Sequence, residues 1–137
     1  KENVLNCIKV AKWCCANKLY QQATTMLEEG LGTFLCCHYQ LDYKNKTYRD
    51  TVFSCIAIKT KKTATEVLDA DKELVDKILA DDSVWGNKTF VTILQKIVEL
   101  RNDYNHAGFK KNPFSAKTVI KIIEKLLDGI EEVLSEI

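Results

Sequence analysis

Apolar residues recur every three or four positions along nearly the whole of this 137-residue chain, and a single proline, Pro113, interrupts them. Proline removes a backbone donor and clashes with the preceding helical turn, so a chain almost free of it leans toward helices joined by short connections. The clearest stretch is the last. Val119, Ile122, Ile123, Leu126, Leu127, Ile130, Val133, Leu134 and Ile137 form one continuous stripe, as a core or interface helix over about residues 115–136 requires.

The same reading places five further helices. The first covers about 2–17, with Val4, Ile8, Ala11 and Cys15 on one face. The second covers about 19–42 and stripes Tyr20, Ala23, Leu27, Gly30, Leu31, Phe34 and Leu41, with Asn17-Lys18 as the turn between the two. A third helix over about 47–60 and a fourth over about 63–80 begin with Thr47 to Asp50 and Thr63 to Glu66, a capping-box pattern of hydroxyl and carboxylate. Asp81-Asp82-Ser83 is the expected end of the fourth. A fifth, about 88–107, follows Asn87 as N-cap and closes at Gly108, and the sixth follows Ser115. The expected class is all-α: one domain, residues 1–137, built as a bundle of five to six helices.

Composition narrows the functions open to such a bundle. Hydrophobic content of 46% and a net charge of +1, from 20 basic and 19 acidic residues, exclude a disordered or collagen-like chain. That balance also lacks the strong positive field of a non-specific duplex binder, so any nucleic-acid site must be local. No apolar run approaches the roughly 18 residues of a membrane span, so no membrane partner is expected. The sequence opens at Lys1 rather than at a methionine, which suggests a piece cut from a longer polypeptide.

Cysteines at positions 7, 14, 15, 36, 37 and 55 could form three disulfides or hold a metal, but no C-x-x-C pair occurs and only two histidines accompany them. The adjacent pairs sit in apolar, helix-patterned segments where a thiol packs as a small hydrophobe. The expectation is a core role for the cysteines, no metal, no cofactor and a reducing, cytoplasmic compartment. Lys44, Lys46, Arg49, Lys59, Lys61 and Lys62 form one basic run, and Lys110, Lys111, Lys117, Lys121 and Lys125 another, around a mainly acidic stretch from Glu66 to Asp82. Solvated helix faces are the ordinary reading of such runs.

The fifth helix contains the one conspicuous violation of pattern. Phe90, Ile93, Leu94, Ile97 and Val98 define its stripe, and a step of four from Ile97 or seven from Leu94 lands on Arg101. A guanidinium there must ion-pair inside the bundle or face a pocket or partner surface, because an unpaired buried charge is costly. Asn102 and His106, four residues apart, share a helix face, so the amide could orient the imidazole. Arg101 and His106 are five apart and converge only if the helix tightens or ends, which Gly108 favours. The competing reading pairs Arg101 with Glu28 or Glu29 and lets His106 cap carbonyls at a helix end.

Arg101-Asn102-Asp103-Tyr104-Asn105-His106, at the end of a helix in an all-helical domain, resembles the R-x4-H signature of HEPN ribonucleases. The stretch Trp13 to Leu31 is also similar to the opening helical hairpin of HEPN domains from CRISPR-associated CARF–HEPN proteins, and Arg101 to Phe109 to their active-site segment. The resemblance implies a HEPN-type bundle and a metal-independent endoribonuclease that cleaves single-stranded RNA. The family mechanism is attack of a ribose 2′-hydroxyl on the adjacent phosphate. Carried over, His106 is the general acid or base, Arg101 the phosphate clamp and Asn102 the orienting residue, with Lys110, Lys111 and Asn105 as further RNA contacts. Those residue types suit the chemistry, since histidine titrates near neutrality and arginine offers a permanent planar set of donors.

Such cleavage needs one group to take a proton and another to give one. The second imidazole, His38, continues the apolar stripe of the second helix and reads as a packed or interface residue. A two-fold homodimer joining two motifs into one composite site resolves this, as in the family. The resemblance further implies type III CRISPR antiviral defence and an upstream CARF domain that binds cyclic oligoadenylate. A non-catalytic HEPN-like bundle for dimerisation or RNA binding, and a HEPN toxin of a toxin–antitoxin pair, remain the alternatives.

Overall fold

A computed structural model of the chain describes residues 2–60, 70–105 and 116–137. Among them are seven helices and no strand: α1 (Glu2–Ala16), α2 (Tyr20–His38), α3 (Lys46–Thr60), α4 (Lys72–Leu79), α5 (Asp82–Trp85), α6 (Lys88–Asn105) and α7 (Ala116–Ser135). The chain is all-α, as its periodicity requires. No described helix is long and apolar enough to cross a membrane.

The α1–α2 hairpin turns at Lys18, which has φ 60° and lets Leu19 N–H reach back to the Cys14 carbonyl at 2.8 Å. Gln40, with φ 57°, ends α2 in the same way, and Leu41 N–H donates to the Cys36 carbonyl at 2.8 Å. These are Schellman-type closures built without glycine. The second helix therefore stops at His38 and not near residue 42, although Leu41 still packs on the core.

Three other boundaries move for one reason: short Asn and Asp side chains capture backbone N–H groups wherever they stand. Asn45, rather than Thr47, caps α3, its Oδ1 accepting from Tyr48 N–H at 3.2 Å, and Thr47 lies inside the helix. Asp71 caps α4 through Leu74 N–H at 3.2 Å, so α4 starts at Lys72, with Ala70 and Asp71 outside it, where the sequence placed a helix already running from about 63. Thr63 to Glu66 lie outside the described residues. Asp81 accepts from Ser83 N–H at 3.1 Å and starts α5, where the acidic run was expected only to end a helix. Among the described residues the count is seven, against the five to six expected. Asn87 caps α6 as expected, accepting from Phe90 N–H at 3.0 Å.

Helix α2 is the axis of the bundle, in contact with α1, α3, α6 and α7. Its Ala23, Leu27, Leu31 and Leu35 meet Ile8 and Ala11 of α1, Val52 and Cys55 of α3, Phe90, Leu94, Ile97 and Leu100 of α6, and Ile123 and Ile130 of α7 in one core. The α7 stripe is as read: seven of its residues are buried, and Ile122 and Ile137 pack at the margin. Burying aliphatic side chains at this scale contributes about 1.5–3 kcal/mol each, which offsets the entropy of ordering the helices. On α1 the inward residue is Cys14, with Cys15 turned partly outward.

Candidate functional site

The carboxyl end of α6 carries the arginine, but the stripe resolves one residue earlier than the spacing suggested. Leu100 is fully buried together with Phe90, Leu94 and Ile97, while Val98 is only partly buried. A step of three from Ile97 satisfies a helix as well as a step of four, and the core takes the leucine. Arg101 thus stands at the rim of the core, its side chain 49% exposed.

The charge that does lie inside the bundle is Glu28 on α2, with a side chain 9% exposed. Arg101 Nη1 donates to Glu28 Oε1 at 2.6 Å, across 73 residues of sequence. Of the two pairings open from the sequence, the structure makes the one with Glu28. Glu29 instead receives Arg49 from α3, whose guanidinium also donates to Thr33 Oγ1 at 3.1 Å. The chain's two arginines therefore dock on successive glutamates of the central helix.

What singles out Glu28 from Glu29 is a pattern that counts polar residues. Thr24, Glu28, Leu31 and Leu35 recur at helical spacing and are all buried, so a carboxylate occupies an inward position of α2. Such a carboxylate requires a cation or a set of donors. With Glu28 fixing one N–H, the guanidinium still carries four further donors, and half of its side-chain surface meets solvent. An anchored, half-exposed guanidinium is suited to holding an oxyanion such as a phosphate.

Asn102 follows, half-buried in the last turns of α6. Asn105 ends the helix, its side chain outside what the structure describes, and His106, Lys110 and Lys111 lie outside the described residues. The structure thus places Arg101 and Asn102 in the last turns of α6, and of the two it is Arg101 that meets Glu28.

His38 packs through its ring, but at the margin of the bundle, with its side chain 28% exposed. It lies at the surface, at the last position of α2, because the helix ends there. Its ring stacks on Phe34 with centroids 6.1 Å apart and meets Tyr39 edge-on, and its Nε2 is 3.8 Å from Asp81 Oδ2. Tyr39 donates its hydroxyl to that same oxygen at 3.0 Å. Burial, and then this bond, hold the Tyr39 phenol well above its ordinary range, while Ser83 and Tyr39 donors hold the Asp81 carboxyl below its own. The cluster ties the end of α2 to the start of α5.

The cysteines are free thiols: Cys14, Cys36 and Cys55 are buried, Cys7 and Cys15 half-buried. Cys37 is exposed, one residue beyond the inward face, which corrects the assignment of both adjacent pairs to the core. Among the described residues no group of three or more His, Cys, Asp or Glu side chains could hold a metal ion. The basic runs are partly neutralised, Lys46 by Asp50 at 2.6 Å and Arg49 by Glu29, while Lys117, Lys121 and Lys125 stand exposed on α7. Set against family models, curated proteins and solved structures, the chain matches none of them.

Proposed function

We propose that this helical bundle is a HEPN-type endoribonuclease domain that cleaves single-stranded RNA without a metal, acting as a homodimer with a composite site. The observation that carries the reading is Arg101, half-exposed at the end of α6 and anchored on the buried carboxylate of Glu28. In that role the guanidinium holds the scissile phosphate and the charge that develops on it, His106 moves the proton, and Asn102 orients the imidazole. Lys110, Lys111 and Asn105 supply further RNA contacts. Attack by the 2′-hydroxyl breaks the bond to the 5′ oxygen and leaves a cyclic 2′,3′-phosphate and a 5′-hydroxyl. The sequence resemblance supplies the setting, a cytoplasmic type III CRISPR effector with an upstream CARF sensor of cyclic oligoadenylate.

A second reading is favoured by the same contact: an arginine paired with a buried carboxylate has a structural task, so the domain would be a non-catalytic dimerising or RNA-holding bundle. A fluorogenic single-stranded RNA incubated in EDTA separates the two. For the nuclease, His106→Ala should lower the rate about 10²–10⁴-fold and Arg101→Ala about 10²–10³-fold. Wild-type and His106→Ala proteins that cleave equally would overturn the catalytic assignment. A wild type that binds RNA without cleaving it, and whose Arg101→Ala form only melts earlier, supports the second reading.

A further inference from the structure

Helices α6 and α7 do not close along their whole length. Between the amino-terminal half of α6 and the stretch of α7 from Ile122 to Val133 lies a groove of about 540 Å³. Ile93, Leu126 and Val133 form its floor, and they are the least deeply buried members of the core. Lys88, Lys96 and Lys125 stand around it, and among the described residues no carboxylate lines it. Lys96 reaches Glu99 on its own helix only at 3.5 Å.

Gly129 of α7 also lines the groove, and a Cβ built on it meets nothing within 4 Å. Glycine inside a helix costs about 0.5–1 kcal/mol relative to alanine. Gly30 of α2 shows what normally justifies one, since its Cβ would stand 2.8 Å from the Cys7 Cβ. Gly129 has no such neighbour among the described residues, so its missing side chain leaves room for a backbone from outside the chain.

We propose that this groove docks an acidic amphipathic helix of a partner protein. From Lys88 to Lys96 and from Ile122 to Val133 the walls run about 12 and 17 Å, the length of two to three helical turns. Apolar anchors at i, i+4 and i+7 would lie on the floor, with Gly129 under the point of closest approach and carboxylates on the lysines. A second copy of this chain fits poorly, because a two-fold axis through the groove would set lysine against lysine. RNA fits poorly as well, because among the described residues the lining has no aromatic face on which a base could stack. The groove uses the opposite end of α6 from Arg101, so the proposal is independent of the ribonuclease reading.

The test uses two fluorescent helical peptides with leucines at i, i+4 and i+7, one flanked by glutamates and one by lysines, titrated into the whole chain. The glutamate peptide should bind with a Kd below about 100 µM and the lysine peptide at least ~10-fold more weakly. Gly129→Leu, which fills open space with a good helix former and keeps the melting temperature, should weaken the glutamate peptide at least ~10-fold. Lys88→Glu, Lys96→Glu and Lys125→Glu together should invert the preference. Absence of binding at ~100 µM, equal binding of both peptides, or a Gly129→Leu protein that binds as wild type would overturn the proposal. So would displacement of the peptide by a single-stranded oligoribonucleotide, or a homodimer that Gly129→Leu dissociates.

Discussion

The seam between α1 and α2 and the seam between α6 and α7 use the same materials and finish differently. Each pairs aliphatic stripes across two long helices, and each contains a helix-interior glycine. In the first, Gly30 admits Cys7 so closely that no side chain could stand between them, and Ile8, Ala11, Leu27 and Leu31 are sealed from solvent. In the second, Gly129 admits nothing, and Leu126 and Val133 stay at the edge of solvent beneath three lysines. A glycine in a helix is thus a packing device only where something packs on it. The α1–α2 seam is complete within the chain, and the α6–α7 seam is shaped for an addition.

The comparison is most exposed to a pair of equal truncations. Leu27→Ala removes a side chain 1% exposed from the sealed seam and should cost about 3–5 kcal/mol, the transfer loss plus a cavity that cannot collapse. Leu126→Ala removes the same atoms at the groove, 8% exposed, where water can follow, and should cost about 1.5–2.5 kcal/mol. Urea unfolding of both variants measures the difference, and equal costs would break the distinction. The glycines sharpen it further, because their effects differ in sign. Gly30→Ala drives a methyl into Cys7 and should destabilise by about 1–3 kcal/mol. Gly129→Ala meets open space and should stabilise by about 0.5–1 kcal/mol. Two shifts of one sign would refute the argument from Gly129.

The α7 stripe, the Asn17-Lys18 turn and the Asn87 cap were legible because each rests on local periodicity or local hydrogen bonding. The start of α4 after Asp71 was not. Asp71 and Asp81 lie in an acidic run that reads equally well as the solvated face of a helix, and only the neighbours show that Thr51 Oγ1 accepts from Asp71 N–H at 3.0 Å and fixes where α4 begins. At the candidate site the sequence put the charge one step too deep, since Leu100 and Arg101 both lie at permitted helical intervals from Ile97. Glu28 appeared only as one of two pairing options, because an apolar stripe passes over a carboxylate inside it. The groove was invisible in principle: the α7 stripe is continuous, and what is missing is a partner for part of it.

Thiol labelling gives the smallest effect and the finest spatial resolution. Burial raises Cys7 and Cys15 above the ordinary thiol value of 9.0, and it pushes Cys55 up to about 12, where its Sγ also donates to the Val75 carbonyl at 3.8 Å. A raised value means less thiolate at pH 8, hence slower alkylation on top of steric protection. In wild-type protein treated with iodoacetamide at about pH 8 and read by mass spectrometry, exposed Cys37 should react first and its buried neighbour Cys36 far later. Cys7, beneath Gly30, should fall between them and should gain reactivity in Gly30→Ala, which opens that seam, but not in Gly129→Ala, which leaves it alone. Cys7 reacting as fast as Cys37 in the wild type would show that the α1–α2 seam opens readily in solution. The contrast with α6–α7 would then be one of degree, because both seams would admit an outside group.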